Sequence, residues 1–307
     1  MSKVEKQTLE DQKSKRLMRF ATYASVAVAS ILICIKTGAW LSTDSLSLLA
    51  SLVDSILDVG ASLISLIAVH HALRPADKEH RFGHGKAEAI AGLAQSAFIL
   101  GSGIFLLLES VERFINPVRV LNTTVGISIM IVAILMTIIL VGFQTYVVRK
   151  TQSIAIKADT IHYQADLLVN LTVILSLILS TNLNLYILDP IFASLIIVYM
   201  SFGAYQISIR SLEVLMDKEF PDSERDRIKE IAMSHKYVLN VHDMRTRSSG
   251  ATSFIQFHAE MPNDILLVEA HKIADEVMFM IEEAFPNTEV FIHQDPEGID
   301  ERRDTIK

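Results

Sequence analysis

Long apolar runs broken by short polar ones fill the first 210 residues, and after Met216 the pattern changes to alternation and short amphipathic segments. A helix needs ~20 mainly apolar residues to cross a bilayer. Six runs qualify, at approximately 17–38, 44–72, 86–113, 120–148, 156–181 and 190–212. The first, fourth and sixth are strongly apolar. The second, third and fifth carry polar and acidic groups, which suits helices facing a bundle interior or a water-filled cavity. Beyond Met216, "DSERDRIKEIAMSH" has helical spacing, and "VLNVHDMRTRSSG" and "TSFIQFHAEM" alternate as two strands around a Ser-Gly turn. "ILLVEAHKIADEVMFMIEEAF" is an amphipathic helix, and "TEVFIHQDPEG" a last strand. The order αββαβ makes a compact α+β sandwich with helices on one face of a small sheet. The expected fold is a polytopic α-helical membrane protein: a polar tail over 1–16, six transmembrane helices over 17–212, and an α+β domain over 213–307.

Composition narrows the partners. Half of the 307 residues are apolar, and the net charge of −7 reflects acidic residues concentrated after Asp217. Without a broad basic surface, nucleic acid is not an expected partner. The single cysteine, Cys34, lies in an apolar run, so neither a disulfide framework nor a cysteine zinc site can be built from it. The start, "MSKVEKQTLEDQKSKR", lacks the pattern of a cleaved signal peptide. Lys and Arg crowd this tail and the loops at 73–86 and 149–157, while 39–43 and 182–189 have none. Basic loops stay on the cytoplasmic side, so both termini are expected there, although the third-to-fourth connection carries Arg113 and Arg119.

The polar groups inside the spans carry the chemistry. The fifth span holds His162 and Asp166 in "HYQAD", and the second holds Asp54 and Asp58 in "LVDSILD". Both pairs are spaced i,i+4, so each puts two side chains on one helix face. Three carboxylates and one imidazole can surround a divalent cation tetrahedrally, as zinc prefers. Each carboxylate at mid-bilayer costs on the order of 3 kcal/mol on the insertion scale, a cost that a bound dication offsets. Plain hydrogen bonding between helices is the bland alternative, and it suits one isolated polar group better than two matched pairs. A proton relay also uses Asp and His, and it is compatible with a metal, because imidazole must lose its proton to bind one. With an unperturbed pKa of about 6.5, a histidine exchanges a proton for a metal near neutral pH, which is the chemistry of an antiporter.

Two further clusters lie outside the spans. The 73–86 loop supplies Asp77, His80 and His84, whose spacing suits one metal with an open position, or else a solvated loop with incidental histidines. In the C-terminal domain, strand alternation groups His258 with Gln256 and Glu260, and His293 with Asp295. His242 opens the first strand region, and His271 lies on the following helix. Such a set can form a binuclear site bridged by Asp295, or be surface histidines scattered over a small domain. His70 and His71 end a span and fit no constellation. No phosphate-loop spacing, Ser-His-Asp arrangement or HExxH motif is present, so an enzyme is poorly supported. Three readings stay open on the residues: a transporter, a membrane-anchored metal sensor or scaffold, and a membrane metalloenzyme with an open coordination position. Three oxygens and one nitrogen suit Zn²⁺ and Cd²⁺, with Fe²⁺ and Mn²⁺ as further candidates.

Taken together, "LVDSILD", "HYQAD", "PADKEHRFGHGKAE" and "VHDMRTR…FIQFHAE…AHKIAD…IHQDPEG" resemble the cation diffusion facilitator family over essentially the whole chain after the tail. The resemblance implies a homodimer in the bacterial inner (cytoplasmic) membrane that exports Zn²⁺ in exchange for H⁺. It implies Asp54, Asp58, His162 and Asp166 as the transport site, and Asp77, His80 and His84 as a loop site. His242, His258, His271, His293 and Asp295 would bind two zinc ions in a ferredoxin-like cytoplasmic domain that stabilises the dimer. It also implies a charge interlock at Lys86 and Asp217, and a gating hydrophobe at Ile161.

Overall fold

The computed structural model describes residues 3–43, 46–115, 124–183 and 188–298; side chains near several helix ends, and that of Asp54, lie outside the described residues. The chain divides into two compact units, Met1–Leu212 and Glu213–Lys307.

The first unit consists of α1 (Lys3–Thr43), α2 (Leu46–Ala72), α3 (Ala87–Ile115), α4 (Thr124–Thr151), α5 (Ile154–Leu183) and the greater part of α6 (Leu188–Leu215). Among the described residues, α1, α2, α3, α4 and α6 each hold a stretch long and apolar enough to cross a membrane. Helix α5, expected as the fifth span, carries Lys157, Asp159 and Asp166 in its first four turns, and part of its apolar second half lies outside the described side chains. Helix α1 starts at Lys3, so residues read from the sequence as a polar tail continue the helix. Lys, Glu, Gln and Leu in "KVEKQTLEDQKSK" are good helix formers, and polarity alone does not stop a helix.

Polar side chains stitch this bundle together. The Gln95 amide donates to Ala61 O at 3.1 Å and to Ser65 Oγ at 2.8 Å, joining α3 to α2. Ser208 bonds to Ser96 at 2.7 Å, joining α6 to α3. The buried Glu88 carboxylate accepts from Ser153 Oγ at 2.7 Å and from Ile154 N–H at 3.1 Å. It thereby satisfies orphan donors at the start of α5. Helices α3 and α6 approach closely at Gly92, where an added Cβ would lie 2.5 Å from Ser211 Oγ. Small residues permit such approaches between membrane helices. Phe20, Ile104, Phe105, Ile139, Val198 and Phe202 are exposed on the outside of the helices, as expected of surfaces that lipid covers.

The second unit is α7 (Asp222–Met233), β1 (Asn240–Ser249), β2 (Thr252–Met261), α8 (Leu267–Ala284) and β3 (Thr288–Pro296), the αββαβ order expected from the sequence. The sheet order is β1-β2-β3. β1 and β2 form an antiparallel hairpin turned at Gly250, whose φ of 64° suits glycine. β3 runs parallel to β2 after the α8 crossover. Alternation buries Ile255, Phe257, Ala259 and Met261 against Ile228 and Ala232 of α7 and Ile273, Val277 and Ile281 of α8. The opposite face is polar, and its register decides what meets there. His242 pairs with His258, and His258 with His293; two residues along, Asn240 pairs with Glu260, and Glu260 with Asp295. Because neighbours i and i+2 share a face, three histidines form one row, and Asn240, Glu260 and Asp295 the row beside it. A one-residue bulge separates His242 from Arg245 on β1, with Asp243 at φ 44°. Bulges of this kind re-aim side chains beside functional sites.

Candidate metal centres

The first group sits between α2 and α5. His162 Nε2 lies 3.0 Å from Asp58 Oδ1 and 3.7 Å from Asp166 Oδ2. One ligand atom from each of the three falls within 4.8 Å of the others, which is the span of a single cation's donor set. His162 is buried, and Asp58 and Asp166 are partly so. Phe98 and Tyr163 flank the imidazole edge-on, at ring separations of 6.0 and 5.7 Å. Asp54 belongs to α2 one turn before Asp58, and its side chain lies outside the described residues. Ile161, beside His162, packs against α6, its Cγ2 within 3.0 Å of where a Cβ on Gly203 would be.

A feature the sequence reading passed over lies one turn before His162. The Asp159 carboxylate is fully buried and accepts hydrogen bonds from Ser25 of α1 at 2.6 Å and Gln144 of α4 at 2.6 Å, with Ser62 of α2 at 3.5 Å. Ser62 also bonds to Ser25 and to Tyr163 Oη, each at 2.8 Å. Asp159, His162 and Asp166 are spaced i, i+3, i+7, one continuous face of α5. That spacing was the available signal.

The second group is in the loop between α2 and α3. Asp77 Oδ1 accepts from the backbone N–H of His80 at 2.7 Å and of Glu79 at 2.9 Å, closing a tight turn. Those donors, His80's first, hold the Asp77 carboxyl below the usual carboxylate range, so it stays ionised. His80 Nδ1 is 3.5 Å from Asp77 Oδ1, and His84 Nε2 is 3.3 Å from Asp77 Oδ2. Gly83, at φ 77°, makes the turn that brings His84 back. The three donors again lie within 4.8 Å of one another. Lys86 follows this loop directly; Asp217, in the second unit, has Oδ2 at 3.7 Å from Arg247 Nη1.

The third group occupies the polar face of the sheet. Asp295 is buried, and its two oxygens look in two directions. Oδ2 lies 2.8 Å from His258 Nδ1 and 3.4 Å from His242 Nε2, while Oδ1 lies 3.1 Å from His293 Nε2. A carboxylate placed this way can bridge two cations, one per oxygen. The ring centroids of His242 and His258 are 5.2 Å apart, and those of His258 and His293 4.6 Å. Glu260 Oε1 stands 3.1 Å from His242 Nδ1. A carboxylate this close to Nδ1 favours a proton there, so that the Nε2 lone pair beside Asp295 can serve a metal. Arg245 in turn grips Asp243, whose Oδ2 is 3.9 Å from His258 Nε2. An open cleft of about 430 Å³ lies alongside, lined by Asp243, His258 and His293 among others. His271 does not join this group within the chain. It is exposed on α8, with Nε2 3.7 Å from Asp275 Oδ2.

Three clusters of hard and borderline donors, one of them inside a bundle of apolar helices, fit the handling of a divalent cation. Residues 22–216 match the cation efflux transmembrane domain, and residues 220–297 match the cytoplasmic domain of cation efflux proteins. The chain belongs to the cation efflux, or cation diffusion facilitator, family. Cation efflux proteins are transporters rather than a class of enzyme. Among similar proteins, the cation-efflux pump FieF of Shigella boydii serotype 18 is 46% identical over 286 residues, covering 93% of this chain and 95% of that protein. The cation-efflux pump FieF of Escherichia coli strain K12 / DH10B gives the same identity and coverage. A solved structure of the zinc transporter CzrB in its Zn form is 35% identical, covering 28% of this chain and 99% of that chain, with a TM-score of 0.26. This cation efflux protein therefore carries its candidate donors in both matched domains and in the loop between α2 and α3.

Proposed function

We propose that this chain exports Zn²⁺ from the cytoplasm across a bacterial inner membrane in exchange for H⁺, working as a homodimer with both termini in the cytoplasm. The observation that carries the reading is the convergence of Asp58, His162 and Asp166 inside the apolar bundle. Asp54, one turn from Asp58 on α2, completes a set of three carboxylates and one imidazole. A bound dication offsets two of the three negative charges of such a set, which suits tetrahedral Zn²⁺. Proton coupling follows from competition, because a proton and Zn²⁺ contend for the same imidazole lone pair on His162. Protons entering from the far side therefore weaken the ligands and release the metal. Alternating access around a fixed site is the general scheme of secondary transporters.

The remaining clusters take supporting roles. Asp77, His80 and His84 hold a cation at the loop. His242, His258, His293 and Asp295 hold two ions on the cytoplasmic domain, where bound zinc stabilises the dimer and His271 contributes in the assembled protein. Lys86 and Asp217 form a charge interlock, and Ile161 gates the transport site. The match of residues 220–297 to a family cytoplasmic domain supports the cytoplasmic placement, and the FieF relatives are named as cation-efflux pumps. Cd²⁺ and Fe²⁺ are the competing substrates, since donor type alone does not separate them.

The test is Zn²⁺ flux in proteoliposomes under an imposed pH gradient, with Asp58→Ala and His162→Ala beside the parent. Flux should fall to background in both and should run backward when the gradient is reversed. Undiminished transport in both variants would defeat the assignment, and flux indifferent to pH would remove the proton coupling. Competition among Zn²⁺, Cd²⁺, Fe²⁺ and Mn²⁺ in the same vesicles identifies the substrate.

A further inference from the structure

The loop group has a neighbour that no motif drew in. His71, in the last turn of α2, has its ring 4.8 Å from that of His84, edge to face at 83°. His80 lies on the same partner, at 4.6 Å. The adjacent histidine, His70, is exposed, whereas His71 is partly buried.

Geometry decides what such spacings can mean. Zinc–nitrogen bonds of about 2.0–2.1 Å at a tetrahedral angle hold two ligand rings with centroids roughly 5 Å apart. Both histidine pairs around His84 stand at that separation. His84 is the hub, and its side chain is 5% exposed. Its Nε2 faces Asp77 at 3.3 Å, and through that nitrogen it would share an ion with the loop donors.

We propose that His71 is a fourth ligand of the loop centre, making it a closed three-histidine, one-carboxylate site rather than a three-ligand site with an open position. The proposal rests on the reading that the loop holds a cation. A four-ligand centre is of the structural kind, in which the ion adds to folding. Here it pins the 73–86 loop to the end of α2. Three nitrogens and one oxygen favour Zn²⁺ over harder cations such as Mn²⁺. The sequence obscured this because His71 ends an apolar span and stands six residues before Asp77, outside the tight D-x-x-H-x-x-x-H spacing.

The experiment uses full-length protein carrying Asp58→Ala and Asp295→Ala, so that the loop is the strongest remaining centre. Zn²⁺ is titrated against a competing chelator, with His71→Ala, His71→Gln, His80→Ala and His70→Ala added singly. Helical circular dichroism confirms that each variant is folded. Loss of His71 by either substitution should weaken Zn²⁺ binding about tenfold or more, at least the loss seen for the outer-shell partners of a metal. His80→Ala should do the same, and His70→Ala should change nothing. X-ray absorption on the zinc-loaded protein should count three imidazole nitrogens, falling to two in His71→Gln. If His80→Ala weakens binding while both His71 variants bind like the parent, the fourth ligand is overturned and the loop centre stands. If His80→Ala is also silent, the loop reading falls, and this proposal with it.

Discussion

In the bundle, the described donors come from two helices and converge through side chains alone. In the C-terminal unit, His242, His258, His293, Glu260 and Asp295 lie on three strands whose backbones are hydrogen-bonded to one another. The first arrangement has Asp58 on α2 and His162 with Asp166 on α5, so a small shift between the two helices changes the distance from Asp58 to both of the others. The second cannot be loosened without breaking a strand ladder. A site that must take up and release its cargo profits from donors on elements that can move. A site that holds an ion for structure profits from donors fixed by backbone pairing. On the proposed reading, the contrast separates a set that passes its cargo on from a set that keeps its ion.

The sharpest way to break that contrast is Asp295→Ala. With the carboxylate that faces all three histidines removed, the cytoplasmic set should lose zinc by on the order of 100-fold or more, beyond the range for outer-shell changes. Flux through the bundle should persist. Zinc stoichiometry by equilibrium dialysis, run beside vesicle flux, checks both halves, and an unchanged stoichiometry refutes the bridging arrangement.

Next in size is Asp159→Asn. The variant keeps the shape but puts an amide donor where Ser25, Gln144 and Ser62 all donate, leaving buried donors facing donors. Flux should drop about tenfold through misplacement of His162, while zinc on the cytoplasmic set stays as in the parent. Equal damage to both regions, read by the same two assays, would show a general folding defect instead.

A milder test concerns Glu260. Glu260→Ala frees His242 to adopt either tautomer and should weaken cytoplasmic zinc by several-fold to about tenfold, measured by chelator competition. Smallest of all is Lys272→Ala. Its pair with Glu276 at 3.9 Å is exposed on α8, and exposed i,i+4 pairs contribute about 0.3–0.5 kcal/mol. Thermal unfolding of the cytoplasmic unit should move by no more than about 4 °C, and zinc binding should not change.

What the sequence made legible follows from which periodicities repeat. The i,i+4 pairs on the second and fifth spans and the alternation through "FIQFHAE" and "VFIHQDP" are local, so His162 with Asp166, and Ile255 and Phe257 opposite His258, can be read from spacing alone. Whatever depends on pairing between distant segments could not be. That Glu260 stands beside His242 follows from the β1–β2 register and the bulge at Asp243, neither of which local spacing fixes. That Asp159 is tied to α1, α2 and α4 depends on how four helices pack. His71 was hidden because its partners are assembled by a turn at Gly83 rather than by a helix face. The polar start was left without a secondary structure by its composition, and its good helix formers continue α1 back to Lys3.

The parallel pairing of β3 with β2 has one more consequence. The side-chain period of a strand is two, so sliding β3 by one residue along its neighbour would turn His293 and Asp295 toward the helices and offer Ile292 or Gln294 in their stead. β3 is the last strand in chain order and reaches the sheet only after the α8 crossover. On the proposed reading, an ion would thus proofread the sheet, finding its donors only when the final strand has been laid in its correct groove.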